Sequence, residues 1–302
     1  MSKTCLLTGA NGFLGKVIDG IIAREYRVLR LGRSGNHEYS VDLASTIPNF
    51  KERIDIVIHA AGKAHHIPKT EKEEQEFFQV NVVGTRNLLQ GLVTSGTIPE
   101  AIVFVSSVAV YGREEGEMIK ESHPLDGKTS YAMSKIMAEE VLAAWCSKSN
   151  VTLTILRLPL LVGAGAPGNL GDMVRMMRKG WYAGIGNGKA RKSMVLAEDV
   201  AGFIPVVVSK GGVYNLTDGY QPSMIEFEQA VATRLRKSKP IRLPGIVLRL
   251  VARIGDFLGN RFPLNSSRLA KLTSSLTFSD EQAREQAGWK SRSVIHHLPE
   301  TL

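Results

Sequence analysis

Thr4-Cys5-Leu6-Leu7-Thr8-Gly9-Ala10-Asn11-Gly12-Phe13-Leu14-Gly15 joins an apolar run to three glycines spaced three apart. The run is short enough for a buried strand, and an amphipathic stretch over 13–24 follows the glycines. A strand, a glycine-rich turn and a helix in that order form a phosphate-binding βα unit. Gly9 permits the tight turn. Gly12 has no Cβ, so a pyrophosphate can approach the backbone. Gly15 lets the helix pack close to the strand. The helix N-terminus offers unpaired N–H groups and a partial positive charge to the phosphates.

The same rhythm repeats outward. Apolar runs at 26–31, 54–59, 101–106 and 151–156 are separated by segments of helical period, notably 73–93 and 130–146. Short apolar runs alternating with helices indicate βαβ units and a parallel sheet covered on both faces. The spacing predicts an α/β fold, a Rossmann-type doubly wound parallel sheet. Regularity breaks near Leu158, where Gly- and Pro-rich loops begin at 163–169 and 184–188. We expect a dinucleotide-binding domain over 1–162, with 190–216 returning to it. A smaller, mostly helical substrate lobe is expected from 163–189 and 217–302.

Composition bounds the function. The 302 residues are 43% apolar and 22% charged, which excludes a disordered chain, a coiled coil and a collagen-like repeat. No apolar run reaches the ~18–20 residues of a membrane-spanning helix. Cys5 and Cys146 stand far apart and form neither a disulfide framework nor a metal-ligand pattern. The start of the chain runs straight into a strand without a signal-peptide pattern, so a reducing cytoplasm is the expected compartment. The net charge of +9 has no block of five or six like charges. A solvated basic surface and an anionic small ligand both fit it; nucleic acid is not expected as a partner.

Coenzyme choice is read at the end of the second strand. An acid about 20 residues past the loop commonly holds a ribose 2′-OH. Here the strand ends Leu31-Gly32-Arg33-Ser34, and Arg33 lies 24 residues after Gly9. A guanidinium suits a 2′-phosphate by bidentate hydrogen bonding, so NADP(H) is favoured while NAD(H) stays open. Asp42 and Leu43 offer an acceptor and an apolar contact to adenine.

Tyr131-Ala132-Met133-Ser134-Lys135 is a Y-x-x-x-K pattern on a predicted helix. Spacing i, i+4 puts both side chains on one face, and the ammonium is expected to lower the phenol pKa. Alone the pair is common on helix surfaces. Ser106-Ser107, at the carboxyl end of the preceding strand, sharpens it, because open α/β sheets bind ligands there.

Taken together these residues resemble the extended short-chain dehydrogenase/reductase family, also called the NAD-dependent epimerase/dehydratase family. His59-Ala60-Ala61-Gly62, Val80-Asn81-Val82-Val83-Gly84-Thr85, Tyr111-Gly112, Leu156-Arg157-Leu158-Pro159 and Ala287-Gly288-Trp289 resemble further signatures of it. The resemblance implies Ser107, Tyr131 and Lys135 as catalytic residues. It implies coenzyme contacts from Gly9, Asn11, Gly12, Phe13, Leu14, Gly15, Arg33, Asp42, Leu43, Ala60, Ala61, Gly62, Asn81, Tyr131, Lys135 and Pro159. The implied chemistry is hydride transfer between a sugar carbon and nicotinamide C4. Tyr131 moves the hydroxyl proton, Ser107 hydrogen-bonds the same oxygen, and Lys135 serves Tyr131 and the ribose.

Dehydratases of the family carry an Asp-Glu pair directly after the catalytic Ser/Thr. Val108 and Ala109 stand here, and neither can move a proton. The pattern near Asn169 and the basic C-terminal half resemble the branch that reduces nucleotide-linked 4-keto sugars for surface polysaccharides, and Arg33, by favouring NADPH, leans the same way. The alternatives are an NAD-dependent 4-epimerase and, more remotely, a non-catalytic NADP-binding regulator, against which the retained Ser107, Tyr131 and Lys135 argue. The substrate expected is a nucleotide-diphosphate sugar, met by Lys63, His65, Ser107, Val108, Asn169, Arg191 and Lys192. No ligand-spaced cluster suggests a metal. The resemblance also implies a homodimer through the helices over 73–93 and 130–146. The segment 245–258 is apolar with Arg249 and Arg253 interspersed. It reads as a helix packed within the lobe or as an interfacial helix making weak contact with a membrane surface.

Overall fold

The structure, a computed structural model, describes residues 2–35, 37–64, 68–258 and 265–299. Its strands are β1 (Thr4–Thr8), β2 (Arg27–Gly32), β3 (Tyr39–Ser40), β4 (Ile56–His59), β5 (Ala101–Ser107), β6 (Gly116–Ile119), β7 (Thr152–Leu158), β8 (Leu160–Val162), β9 (Ala183–Ile185), β10 (Met194–Leu196), β11 (Gly212–Asn215), β12 (Ile241–Leu243) and β13 (Leu276–Phe278). The helices are α1 (Phe13–Ile22), α2 (Glu71–Phe78), α3 (Gly84–Thr94), α4 (Ser130–Ser149), α5 (Gly168–Lys179), α6 (Ala197–Val207), α7 (Met224–Arg234), α8 (Gly245–Leu258) and α9 (Ser266–Thr273).

Seven strands form one parallel sheet in the order β11-β7-β5-β4-β1-β2-β3. Successive side chains on a strand point to opposite faces. In β1, Cys5 and Leu7 enter the core shared with α1 and α6, while Leu6 enters the core shared with α3 and α4. Ile56 and Ile58 against Val57, and Val103 against Ile102 and Phe104, divide in the same way. That is why the strands read as continuous apolar runs rather than alternating ones. The order of connection reverses between β1 and β4, so a crevice opens at their carboxyl ends.

Val213–Asn215 returns to the sheet as expected, within the edge strand β11. Met194–Leu196 does not: β10 pairs with β8 in a separate two-stranded sheet. The helix expected over 73–93 is α2 and α3 joined by a π-helical turn, Gln79–Val83, which carries Asn81. The lobe after Leu158 has its own core, where Leu170, Met173, Val174 and Met177 of α5 meet Phe227 and Val231 of α7. The chain returns through Trp289, which lies against Phe203 and donates from Nε1 to Thr217 O at 3.0 Å.

Candidate active site

The glycine-rich loop occupies the β1/β4 crevice. Gly9 has φ +74°, and a Cβ there would stand 2.6 Å from Ala61 N. A Cβ on Gly15 would stand 2.1 Å from Gly9 O, so helix and turn can be this close only without side chains. Asn11 Nδ2 donates to Ser34 O, tying the loop to the end of β2. This narrow, backbone-lined cradle fits a dinucleotide pyrophosphate.

Two cavities flank the cradle. One, of about 430 Å³, is lined by Gly9, Gly12, Ala60, Ala61 and Gly62 together with Arg33, Asp42 and Leu43. Asp42 Oδ1 accepts from Ala44 N, which fixes the turn after β3. Arg33 is exposed and makes no ion pair with another described residue, whereas Arg30 is held by Asp19 and Glu38. The second cavity, of about 340 Å³, brings Ser107, Tyr131 and Lys135 together with Phe13, Leu14 and Pro159.

Ser107 ends β5, and its Oγ accepts from Ala109 N at 3.2 Å. Tyr131 and Lys135 stand one turn apart on α4, whose first turn is capped by Thr129. The Lys135 ammonium donates to Val105 O at 2.9 Å and lies 4.7 Å from the centre of the Phe104 ring. Burial pushes its pKa down to about 8, with the Glu139 carboxylate opposing. Burial also pushes the Tyr131 phenol up, and its hydrogen bond with Ser107 offsets only part of that. The expected lowering of Tyr131 by Lys135 is therefore reversed. The ammonium is turned toward the strand, and desolvation of the phenolate dominates.

Asn81 lines neither cavity but holds the wall. Its Oδ1 accepts from Lys63 N at 2.7 Å, and its Nδ2 donates to Ser134 Oγ at 2.8 Å. Lys63 reaches the coenzyme-side cavity, with its ammonium paired to Glu76. Val108 begins a 3-10 turn and packs with Val110 and Tyr111, away from both cavities. Asn169 lies exposed in the first turn of α5 and does not line the second cavity. His65 lies outside the described residues. Arg191 and Lys192 are not brought to Ser107 and Tyr131. Arg191 Nη1 donates to Gln221 O at 2.8 Å, in the loop before α7, and Lys192 Nζ to Lys271 O at 3.0 Å, in the last turn of α9. Among the described residues, no group of three His, Cys, Asp or Glu side chains is placed to hold a metal.

The sequence reading missed several side chains. Ala64, Leu160, Leu161 and Pro167 complete the second cavity. Arg175, Arg178 and Lys179 line a neighbouring cavity of about 370 Å³ with Gly163, Gly165 and Ala166. Their i, i+3, i+4 spacing after a glycine-rich loop was the available signal. His59 was read only as part of a motif. It is buried, with Nδ1 2.7 Å from Thr8 Oγ1 and Nε2 2.9 Å from Thr85 Oγ1, so it latches β1 and α3 to β4.

Burial, aided by the Lys135 charge, pushes the His59 pKa down to about 3 from 6.5. Above pH 6.5 both folded and unfolded forms are neutral there, and no cost arises. Below it the unfolded chain takes up the proton first, so stability falls with pH by about 1.4 kcal/mol per unit. Denaturation midpoints measured from pH 7 down toward pH 4 should show this slope, and His59→Gln should flatten it.

A family model described as the NAD dependent epimerase/dehydratase family matches residues 5–217. The chain belongs to that family. It is an NAD(P)-dependent enzyme of the extended short-chain dehydrogenase/reductase class. It is 28% identical, across its whole length and 95% of the relative, to the N-acetyl-alpha-D-glucosaminyl-diphospho-ditrans,octacis-undecaprenol 4-epimerase of Escherichia coli O157:H7. Identity to the GDP-6-deoxy-D-mannose reductase of Pseudomonas aeruginosa is 24%, covering 83% of this chain and 90% of that one. Among solved structures, UDP-glucose 4-epimerase of Thermotoga maritima with UDP-glucose superposes with a TM-score of 0.76. That pair shares 18% identity and covers 99% of this chain and 97% of the other, so it speaks for the fold.

Proposed function

We propose that this enzyme reduces the C4 ketone of a nucleotide-diphosphate-linked sugar, with NADPH as the hydride source. Arg33 carries the reading. It is an unpaired guanidinium lining the cavity that the glycine loop also lines, and no acid occurs from Tyr26 to His37 to hold a 2′-OH. Gly9, Gly12, Gly15 and Gly62 would hold the coenzyme backbone, Arg33 its 2′-phosphate, and Asp42 with Leu43 its adenosine. When bound, the coenzyme supplies the hydride. Tyr131 donates the proton to the carbonyl oxygen as it gains charge. Its raised pKa keeps the phenol protonated near neutrality, which is the form reduction needs. Ser107 Oγ steadies the same oxygen by a hydrogen bond, and Lys135, charged below about pH 8, lies beside Gly62 to meet the ribose. Arg175, Arg178 and Lys179 are better placed than Arg191 and Lys192 to meet the substrate's diphosphate. A homodimer is part of the proposal, with Met133 and Met137 exposed on α4 as its apolar surface.

Full-length likeness to a 4-epimerase supports a second reading, in which coenzyme is retained and the C4 centre is inverted. UDP-, GDP- and dTDP-linked 4-keto sugars with NADPH or NADH separate the two. The reductase consumes NADPH stoichiometrically and purifies largely free of coenzyme. Retained NAD, with C4 inversion and no net coenzyme consumption, would establish the epimerase instead.

Arg33→Ala should erode the preference for NADPH over NADH. A charge-assisted hydrogen bond is worth about 1.5–3 kcal/mol, so the ratio of dissociation constants should fall by roughly one to two decades. Equal affinity of the parent protein for both coenzymes would remove Arg33 from this role.

A further inference from the structure

We propose that α8, with the basic segment preceding it, is a docking surface for an anionic lipid membrane. At about 100° per residue, Leu248, Ala252 and Gly255 fall on one face of this helix, and all three are buried. Ile246, Val247, Leu250, Ile254 and Phe257 fall within one sector of about 100° on the other side. Each of them is exposed, Phe257 at 93% and Ile246 at 73%. The helix is thus seated by one narrow face and presents a second apolar face that no described residue covers. A ridge of large aliphatic side chains ending in Phe matches the apolar face of an interfacial helix.

Charge identifies the occupant. Arg249 and Arg253 project between the seated face and the exposed ridge, where cations of an interfacial helix meet phosphate headgroups. Neither makes an ion pair with a described residue, and the same holds for Arg236, Lys237 and Lys239 just before β12. From Gln229 to Gly255 the chain has seven Arg or Lys and no Asp or Glu, although no block of five like charges occurs. Arg242 is paired with Glu228 and Asp256 closes the stretch, so Glu228 to Asp256 carries +5 of the chain's net +9. A second copy of the chain would bring an identical basic segment against it, and like charge opposes that contact. An anionic bilayer satisfies the ridge and the charges together, at about 1 kcal/mol per basic side chain near the surface. Among the described residues no helix is long and apolar enough to cross a membrane, so the contact lies in the interface plane.

Co-sedimentation with vesicles tests this without substrate or coenzyme. Phosphatidylcholine vesicles with about one-third phosphatidylglycerol should carry the parent protein down, and pure phosphatidylcholine should leave most of it in solution. Arg249→Gln with Arg253→Gln should weaken partitioning roughly 30-fold. Leu250→Glu with Phe257→Glu should abolish it, with an unchanged thermal unfolding midpoint showing that the fold persists. A parent protein that ignores anionic vesicles overturns the proposal, as do variants that bind like the parent. Self-association that Leu250→Glu with Phe257→Glu abolishes would also overturn it, by making the ridge a contact between copies.

Discussion

Tyr131→Phe should lower turnover by roughly 10²–10⁴-fold and leave coenzyme affinity nearly unchanged. The substitution removes one O–H group and keeps the ring, which lies 6.0 Å from that of Phe77. Packing at the start of α4 therefore survives, and so should the unfolding midpoint. The phenol is the titratable group that faces Ser107 in the catalytic cavity, so its loss leaves the developing alkoxide without its proton source. Measuring kcat and the coenzyme dissociation constant on the same preparation checks both halves. Turnover at the parent rate would mean that the proton comes from elsewhere.

Glu139→Gln should destabilise the fold by about 3–5 kcal/mol, because it leaves the Arg157 guanidinium buried without a counter-charge. The two are 4% and 5% exposed, and the carboxylate holds Ser106, the neighbour of Ser107. Arg157 Nη2 donates to Glu139 Oε2 at 2.7 Å, and Nε donates to Oε1 at 3.2 Å. Ser106 Oγ donates to the same carboxylate, while Arg157 Nη1 donates to Tyr111 Oη at 3.1 Å and Tyr111 to Asn215 at 2.7 Å. The network thus joins α4, β5, β7 and β11 beneath Ser107. Denaturant titration measures the loss, and Glu139→Met combined with Arg157→Met should recover much of it, since no charge then stays unpaired. The single variant has a second signature. Glu139 is the carboxylate that opposes the fall in the Lys135 pKa, so its removal should move the Lys135 titration to lower pH.

Residues local in sequence carried most of the fold. The alternation of short apolar runs with helical segments was enough for a parallel sheet covered on both faces, because such strands must be apolar at every position. Gly9 announced a tight turn and Gly15 a close approach of the helix, and the positive φ at Gly9 and the clash distances at both bear those readings out. The i, i+4 spacing of Tyr131 and Lys135 fixed their shared helix face before any tertiary contact was known. Arg33 was legible for the same reason, as the residue at a strand end a set distance from the loop.

Tertiary structure decided what depended on distant partners. The pairing of β10 with β8, the latch between His59, Thr8 and Thr85, and the Glu139–Arg157 pair join segments whose sequences do not reveal one another. For Arg191 and Lys192 a sequence shows that a cation is present, but only the fold shows that the carbonyls of Gln221 and Lys271 meet them. Tyr131 carried the sharpest reversal. Its neighbour in sequence predicted a lowered pKa, but the folded chain turns the ammonium toward Val105 and partly buries the phenol. Charge and spacing are written residue by residue, whereas desolvation is a property of everything the fold packs around a group.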